Sequence, residues 1–309
     1  MQIGILEPND FSKKAIKLLK DIGDVSYFDG GDINIFLSNK NILFVRLNYY
    51  IGREFLQYCK VLRCICTPTT GLNHLDIDAC YKKNIKVISL KGETEFLSTI
   101  RATPEHTFGL VMSLLRFYNN SFLTNNNREW NRDKYKGGAL YGRQIGSVGF
   151  GRVGHILAKY FQSFDAIVYY YDIDKNKQEM FGAIKLETMQ KVIEKSEIII
   201  LSASYTDSES VIFTEYFIDL LKDKYFINTS RGELVNEEYL LKKISQNHFL
   251  GVALDVIQNE QVDNNLDRFL NLVSKYNLIL TPHISGATYT SMHRTEDFIS
   301  EKLISVYNL

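Results

Sequence analysis

The chain has no excess of charge of either sign. Its 309 residues hold 36 Lys plus Arg and 36 Asp plus Glu, a formal net charge of zero. No long basic stripe interrupts that balance, which argues against a nucleic-acid partner. Long apolar runs are missing too; stretches such as Ile198–Leu201 are far too short to cross a bilayer. The N-terminus lacks a basic region followed by an apolar one, so no signal peptide is expected and the cytoplasm is the default location. There are only four cysteines, Cys59, Cys64, Cys66 and Cys80. Cys64 and Cys66 would face one side of a strand. No histidine or further cysteine pair lies nearby at zinc spacing, so buried thiols are expected rather than a metal site. No short-period repeat occurs, and no low-complexity tract beyond Asn125–Asn127.

What is present is an ordinary globular composition, 45% hydrophobic and 23% charged. The length suggests about two domains at roughly 150 residues each. One stretch stands out, Gln144 to Gly154. It reads as a buried strand, Ile145–Val148, a glycine turn, and a helix with apolar residues at Val153, Ile156, Leu157, Tyr160, Phe161 and Phe164. Gly149, Gly151 and Gly154 fit G-x-G-x-x-G. A second strand, Ala166–Tyr171, follows and ends at Asp172, 18 residues past Gly154. That order is the dinucleotide-binding fingerprint. Gly149 allows a tight turn, Gly151 lets backbone approach a pyrophosphate, and Gly154 lets helix and strand pack. The helix N-terminus offers unpaired N–H groups to the phosphates. Asp172 sits where a carboxylate accepts from ribose hydroxyls and repels a 2′-phosphate, which favours NAD over NADP. The competing readings are a structural glycine turn or another nucleotide-like ligand such as S-adenosylmethionine.

Strands and helices alternate along the rest of the chain, the pattern of an α/β protein with parallel sheets. The first hundred residues suggest strands at Gln2–Leu6, Val25–Phe28, Ile42–Arg46, Leu62–Thr67 and Ile85–Ser89, with helices at Phe11–Ile22, Arg53–Lys60 and Asp76–Lys83. A long helix is expected from Pro104 to about Tyr118, with Thr103 as N-cap and Pro104 at the first helical position. Residues 119–138 read as a polar loop or arm that includes Trp130, a local anchor or subunit contact. Beyond the fingerprint, strands are expected at Glu197–Ala203, Tyr225–Thr229, Leu250–Leu254 and Leu278–Leu280, making six from Ile145 onwards. Helices are expected at Leu186–Lys195, Thr214–Lys222, Asn236–Gln246, Leu266–Tyr276 and Thr290–Tyr307.

Ligands in such sheets bind beyond the carboxyl ends of the strands. Three strand ends carry reactive side chains there: Arg231 after Tyr225–Thr229, Asp255 and Glu260 after Leu250–Leu254, and His283 after Leu278–Leu280. Arginine can grip a carboxylate through two parallel hydrogen bonds. Histidine can supply a proton near neutrality, and a carboxylate beside it fixes its ring. Each residue alone has an ordinary structural reading, as a cap, a solvated loop charge or a turn residue. Together, on a sheet that carries the fingerprint, they form a set suited to reducing a 2-keto acid.

Several segments resemble the NAD-dependent D-isomer-specific 2-hydroxyacid dehydrogenases, of the phosphoglycerate dehydrogenase-like kind. They are residues 140–154, Ile-Asn-Thr-Ser-Arg-Gly-Glu-Leu-Val-Asn-Glu-Glu, Gly-Val-Ala-Leu-Asp-Val and Leu-Thr-Pro-His-Ile-Ser-Gly-Ala-Thr, with Thr-Gly-Leu-Asn-His-Leu-Asp and Ala-Thr-Pro-Glu-His-Thr nearer the N-terminus. The resemblance implies two Rossmann-like parallel-sheet domains with the active site in the cleft between them. One would be a discontinuous, flavodoxin-like substrate domain, 1–98 plus 285–309, and the other an NAD-binding domain, 99–284. It implies Arg231 as carboxylate binder, His283 as acid/base and Glu260 as its partner. NAD contacts are implied at Gly149, Phe150, Gly151, Arg152, Val153, Gly154, Asp172, Ser202, Ala203, Thr229, Ser230, Asp255 and His283. Asp255 would lie against the nicotinamide carboxamide. Thr70 and Gly71 would close over the substrate, and Arg46 could reach a second anionic group or simply be solvated. The helix from Pro104 and the arm around Trp130 would form a homodimer contact. No room is expected for the regulatory domain of long phosphoglycerate dehydrogenases. The alternative to turnover is an NAD-responsive interaction protein of the same fold; a third, weaker option is a relative acting on phosphite or formate.

The sequence departs from the family pattern in two places. Ser202 and Ser204 stand where histidine and proline are usual, close to the cofactor, so cofactor affinity is the property affected. Gln261 follows Glu260 where proline is usual, which loosens that loop.

Overall fold

The alternation of short apolar runs with amphipathic segments folds, in the computed structural model, into two parallel sheets of five and seven strands with helices between the strands. Residues 1–122, 130–204, 211–260 and 264–308 are described; Asn125–Asn127, Gln261 and the part of the 201–206 segment beyond Ser204 lie outside them. The chain divides into two units, Met1–Ile100 with Ala287–Leu309, and Arg101–Gly286.

The first unit holds β1 (Gln2–Ile5), β2 (Asp24–Tyr27), β3 (Ile42–Phe44), β4 (Cys64–Cys66) and β5 (Lys86–Ile88), ordered β2-β1-β3-β4-β5 and paired in parallel throughout. Ile42 and Phe44 enter one apolar cluster while Leu43 and Val45 enter another. This is the period of two of a strand, with both faces buried because helices cover both. Those helices are α1 (Lys13–Ile22), α2 (Ile33–Leu37), α3 (Arg53–Leu56), α4 (Ile77–Lys82), α5 (Thr94–Ser98) and the terminal helix Tyr289–Tyr307. Ser12 caps α1 by accepting from the Ala15 N–H, and Thr288 caps the terminal helix in the same way at Ser291. Ile299 and Leu303 of the terminal helix pack with Ile3, Ile5 and Leu19. Helices α2 and α5 fall in segments with no sequence expectation. All four cysteines are buried and free, and Cys64 and Cys66 do share a face, their sulfurs 3.8 Å apart.

The second unit has β6 (Gln144–Val148), β7 (Ile167–Tyr171), β8 (Ile184–Lys185), β9 (Ile198–Leu201), β10 (Tyr225–Asn228), β11 (Gly251–Leu254) and β12 (Leu278–Leu280), ordered β12-β11-β10-β9-β6-β7-β8. The expectation of six strands is corrected to seven: β8 is only two residues long, too short to show a period. The strand order reverses between β6 and β9, so the switch point lies beside the glycine turn. The helices are α6 (Ala102–Leu115), α7 (Tyr118–Ser121), α8 (Arg152–Gln162), α9 (Met189–Lys195), α10 (Glu215–Asp219), α11 (Glu237–Ser245) and α12 (Leu266–Val273). Ile198 and Ile200 face one apolar cluster, Ile199 and Leu201 the other.

Around α6 the expectation is corrected. The helix starts at Ala102 with Arg101 as N-cap, and no side chain caps it, so Thr103 is helical and Pro104 is the third residue. Proline is tolerated there because the first-turn N–H groups have no partner inside a helix. The helix stops at Leu115, and Phe117 turns the chain with φ 51° before α7. The stretch expected as a loop thus contains α7 and a 3-10 turn at Asp133–Tyr135, and Trp130 is 98% exposed.

Candidate active site

The glycine turn is shaped by what each glycine touches. Gly149 has φ 88°, and a Cβ there would lie 2.5 Å from the Ala203 backbone nitrogen, so only glycine fits. A Cβ on Gly154 would lie 3.1 Å from the Gly149 carbonyl oxygen. Gly151 is different: a Cβ would meet nothing within 4 Å, which leaves open space over the start of α8, where no side chain caps the helix. A helix start with no side-chain cap beside such an open space is suited to a phosphate. Arg152 opens α8. Burial first, and the neighbouring Arg101 charge second, push its guanidinium below the ordinary value; two like charges crowded at a helix N-terminus favour an anion there. Val153 is half-buried behind it.

Phe150 turns its ring into the core, stacked on Tyr170 at 3.7 Å. Its backbone N–H donates to Asp172 Oδ2 at 2.7 Å, and Asp174 N donates to Asp172 Oδ1 at 2.9 Å. The acid at the end of β7 is thus fixed beside the turn. On the other side, Ser202 donates to the Gly149 carbonyl at 2.8 Å and meets Ser147 Oγ at 2.9 Å. The residue in the place of the usual histidine ties the turn to the end of β9. Ser230 Oγ donates to the Ala203 carbonyl, and Thr229 Oγ1 bonds Thr107 Oγ1 at 2.7 Å. These residues suit a dinucleotide: an open glycine, a helix start that no side chain caps, the charges of Arg152 and Arg101 acting on one another, and a fixed acid at the end of β7.

Arg231 follows β10 in extended conformation, with Nη1 donating to the Ser230 carbonyl at 2.7 Å. Burial pushes its guanidinium below the ordinary value while the charges of Glu260 and Glu233 act the other way, so Arg231 sits within reach of the Glu260 field. The next residue must be glycine: a Cβ on Gly232 would lie 2.1 Å from the Ile257 carbonyl carbon. That contact brings the Arg231 segment against the one that leads to Glu260.

At the end of β12, His283 adopts φ 52°, the left-handed region. Its Nδ1 lies 2.6 Å from Glu260 Oε2, and Nε2 has no hydrogen-bond partner among the described residues. Asp255 holds this bend. Its carboxylate, 1% exposed, accepts from Thr281 Oγ1 at 2.6 Å, Ile284 N at 2.9 Å and Ser285 N at 2.9 Å, and His106 Nε2 lies 3.4 Å away. Burial works to raise this carboxyl, and the bonds from His106, Thr281, Ser285 and Ile284 together outweigh it and leave it below the usual carboxylate value. Its carboxylate thus holds the His283 bend through three donors. The sequence does not single out His106 or Thr281, because they meet across 175 residues of chain.

The remaining three candidates lie in the other unit. Arg46 is not an open cation. Its Nε donates to Glu296 Oε1 at 3.0 Å, Nη2 donates to the same oxygen, and Nη1 donates to the Asn9 carbonyl at 2.9 Å. Glu296 is fully buried, and its other oxygen accepts from Ser12 N at 2.8 Å. Thr70 is exposed and Gly71 half-buried on the loop after β4, where Thr69 Oγ1 donates to the Gly71 carbonyl at 2.8 Å and Thr67 Oγ1 bonds both Thr69 and His74. Among the described residues no group of three or more His, Cys, Asp or Glu could hold a metal, and no helix is long and apolar enough to cross a membrane.

A doubly wound sheet with its glycine turn at the switch point is the architecture of the nucleotide-dependent oxidoreductases. Residues 108–285 match the model of the D-isomer specific 2-hydroxyacid dehydrogenase family, NAD binding domain, and the chain belongs to that family. It is 29% identical over 278 residues to a glyoxylate reductase of Thermofilum pendens, covering 87% of this chain and 79% of that one. It is 29% identical over 266 residues to the D-3-phosphoglycerate dehydrogenase of Bacillus subtilis, covering 85% of this chain but 48% of the relative, so it spans about half that protein's length. Among solved structures, the NAD-dependent formate dehydrogenase of Staphylococcus aureus in complex with NAD superposes with a TM-score of 0.84 at 25% identity, over 100% of this chain and 96% of that one.

Proposed function

We propose that the protein interconverts a 2-keto acid and a D-2-hydroxy acid with NAD(H). The observation that carries this reading is the 2.6 Å contact between His283 Nδ1 and Glu260 Oε2, in the unit that bears the glycine turn. Glu260 accepts the Nδ1 proton, which orients the ring and leaves Nε2 to hold the proton that is exchanged. In reduction, Nε2 donates that proton to the keto oxygen, which becomes the hydroxyl; in oxidation it takes the proton back. A reduced nicotinamide held by this unit would supply the hydride. Arg231 binds the substrate carboxylate with paired N–H donors and draws electron density from the adjacent carbonyl. Gly149 to Gly154, with Arg152 among them, would hold the pyrophosphate, and Asp172 would hold the ribose. A positioned general acid of this kind contributes about 10²–10⁴-fold in rate.

Oxidation of NADH followed at the nicotinamide absorbance, with a panel of 2-keto acids with and without a phosphate group, tests the reading. Consumption of at least one, with the D-enantiomer as product, is expected. Tight NADH binding with no keto acid consumed would overturn it in favour of an NAD-responsive binding protein. The proposal includes a homodimer, supported by the full exposure of Trp130 beyond α7 and tested by sedimentation. It also includes a cytoplasmic location, which suits four free thiols.

A further inference from the structure

Glu237 raises a question that the proposed chemistry leaves open. It lies in the first turn of α11 at 4% exposure, and the nearby Arg268 pairs with Glu238 instead. Burial pushes its carboxyl above the ordinary value, bonds from Gln258 N and Asn265 act against that, and the charges of Glu238 and Glu233 add to it. A buried carboxylate without an ion pair is costly unless its oxygens are well used. Both are. Oε2 accepts from Gln258 N at 2.8 Å and Oε1 from Asn265 Nδ2 at 2.8 Å.

In the chain, Gln258 precedes Glu260 by two residues, and Asn265 follows Asn264, which itself bonds Glu260. Gln258 is tied a second time, its Nε2 donating to the Val235 carbonyl at 2.8 Å, and Asn264 Nδ2 donates to the Glu260 carbonyl at 3.1 Å. Gly232, next to Arg231, packs on Ile257 at the root of the same segment. One carboxylate therefore ties Gln258 and Asn265, which flank Glu260 in the chain, to the helix that follows the Arg231 segment.

We infer that Glu237 is a positioning residue, whose double tie to Gln258 and Asn265 sets the Glu260–His283 hydrogen bond. The inference rests on the catalytic reading of those residues, but its geometric content can be measured without turnover. A short Nδ1–H···Oε2 bond gives a downfield proton resonance, assigned by its loss in His283→Ala. In the full chain, Glu237→Ala is expected to broaden or remove that resonance and lower kcat about tenfold or more, with NADH affinity and KM within about twofold. Glu237→Gln, which keeps an acceptor for Gln258 N, is expected to restore most of both. Asn265→Ala removes the Glu237 tie together with the exposed Asn265 bonds to Glu238 and Arg268, and it serves if Glu237→Ala does not fold, with an intermediate loss expected. An unchanged resonance and kcat in a folded Glu237→Ala or Asn265→Ala would overturn the inference. So would a loss confined to thermal stability. If the native protein consumes no keto acid, the catalytic reading fails, and the resonance alone still decides whether Glu237 sets the contact.

Discussion

Replacing Asp255 by asparagine tests how the His283 bend is held. The native carboxylate accepts from Thr281 Oγ1 and Ile284 N on one oxygen and from Ser285 N on the other, at 1% exposure. An amide has a single oxygen, so its NH₂ group must face either Ser285 N or the Thr281–Ile284 pair. A hydrogen bond to a charged acceptor contributes about 1.5–3 kcal/mol, and an unsatisfied buried donor costs a similar amount, so the substitution should cost about 3 kcal/mol. For a unit of this length that is a fall in Tm of about 6–12 °C, read by calorimetry at neutral pH. The pH dependence gives a second check. With its folded carboxyl below the ordinary 3.8, Asp255 contributes stability that is complete above pH 3.8 and is lost as pH falls through the folded value. The gap between native and variant should therefore be constant from neutrality to mild acid and shrink only in stronger acid. A Tm within about 2 °C of native, or a gap that grows with acid, would refute the reasoning.

Three further outcomes follow from the site. His283→Ala should lower keto-acid reduction by about 10²–10⁴-fold and leave NADH affinity within a few-fold, by stopped-flow and fluorescence titration; a variant that stays active removes His283 from the acid/base role. Asp172→Ala should weaken NADH and narrow its preference over NADPH, and an unchanged preference removes Asp172 from the ribose site. Gly232→Ala places a methyl group 2.1 Å from the Ile257 carbonyl carbon, so the backbone must shift. A loss of about 3 kcal/mol by denaturant unfolding is expected, and native stability would show that the Arg231 and Ile257 segments are not held together as described.

Much of this was legible in the sequence because it depends on short-range pattern. The five strands of the first sheet and six of the second announce themselves as apolar runs between amphipathic segments, and the glycine turn by its spacing. Strand ends that carry Arg231, Glu260 and His283 could be marked because parallel sheets gather such ends on one side. What stayed hidden depends on side-chain direction and distant partners. Arg46 reads as an open cation until Glu296, far along the chain, is seen bonded to it. For Asp255, nothing local reveals that Thr281, Ile284 and Ser285 converge on its carboxylate. Nothing local marks Glu237, since the convergence of Gln258 and Asn265 on it depends on residues some twenty to thirty positions away. The start of α6 was misplaced because Pro104 is tolerated anywhere in a first turn, not only at its first position.

The terminal helix has a consequence for synthesis of the protein. Ile299 and Leu303 complete the cluster built by Ile3, Ile5 and Leu19, whereas Arg101–Gly286 is an unbroken stretch of chain. During translation at about 5–20 residues per second, the first sheet would wait roughly 10–40 s for the helix that covers it, while the second could close as its own strands emerge. The order of birth on the ribosome is thus the reverse of the order of completion.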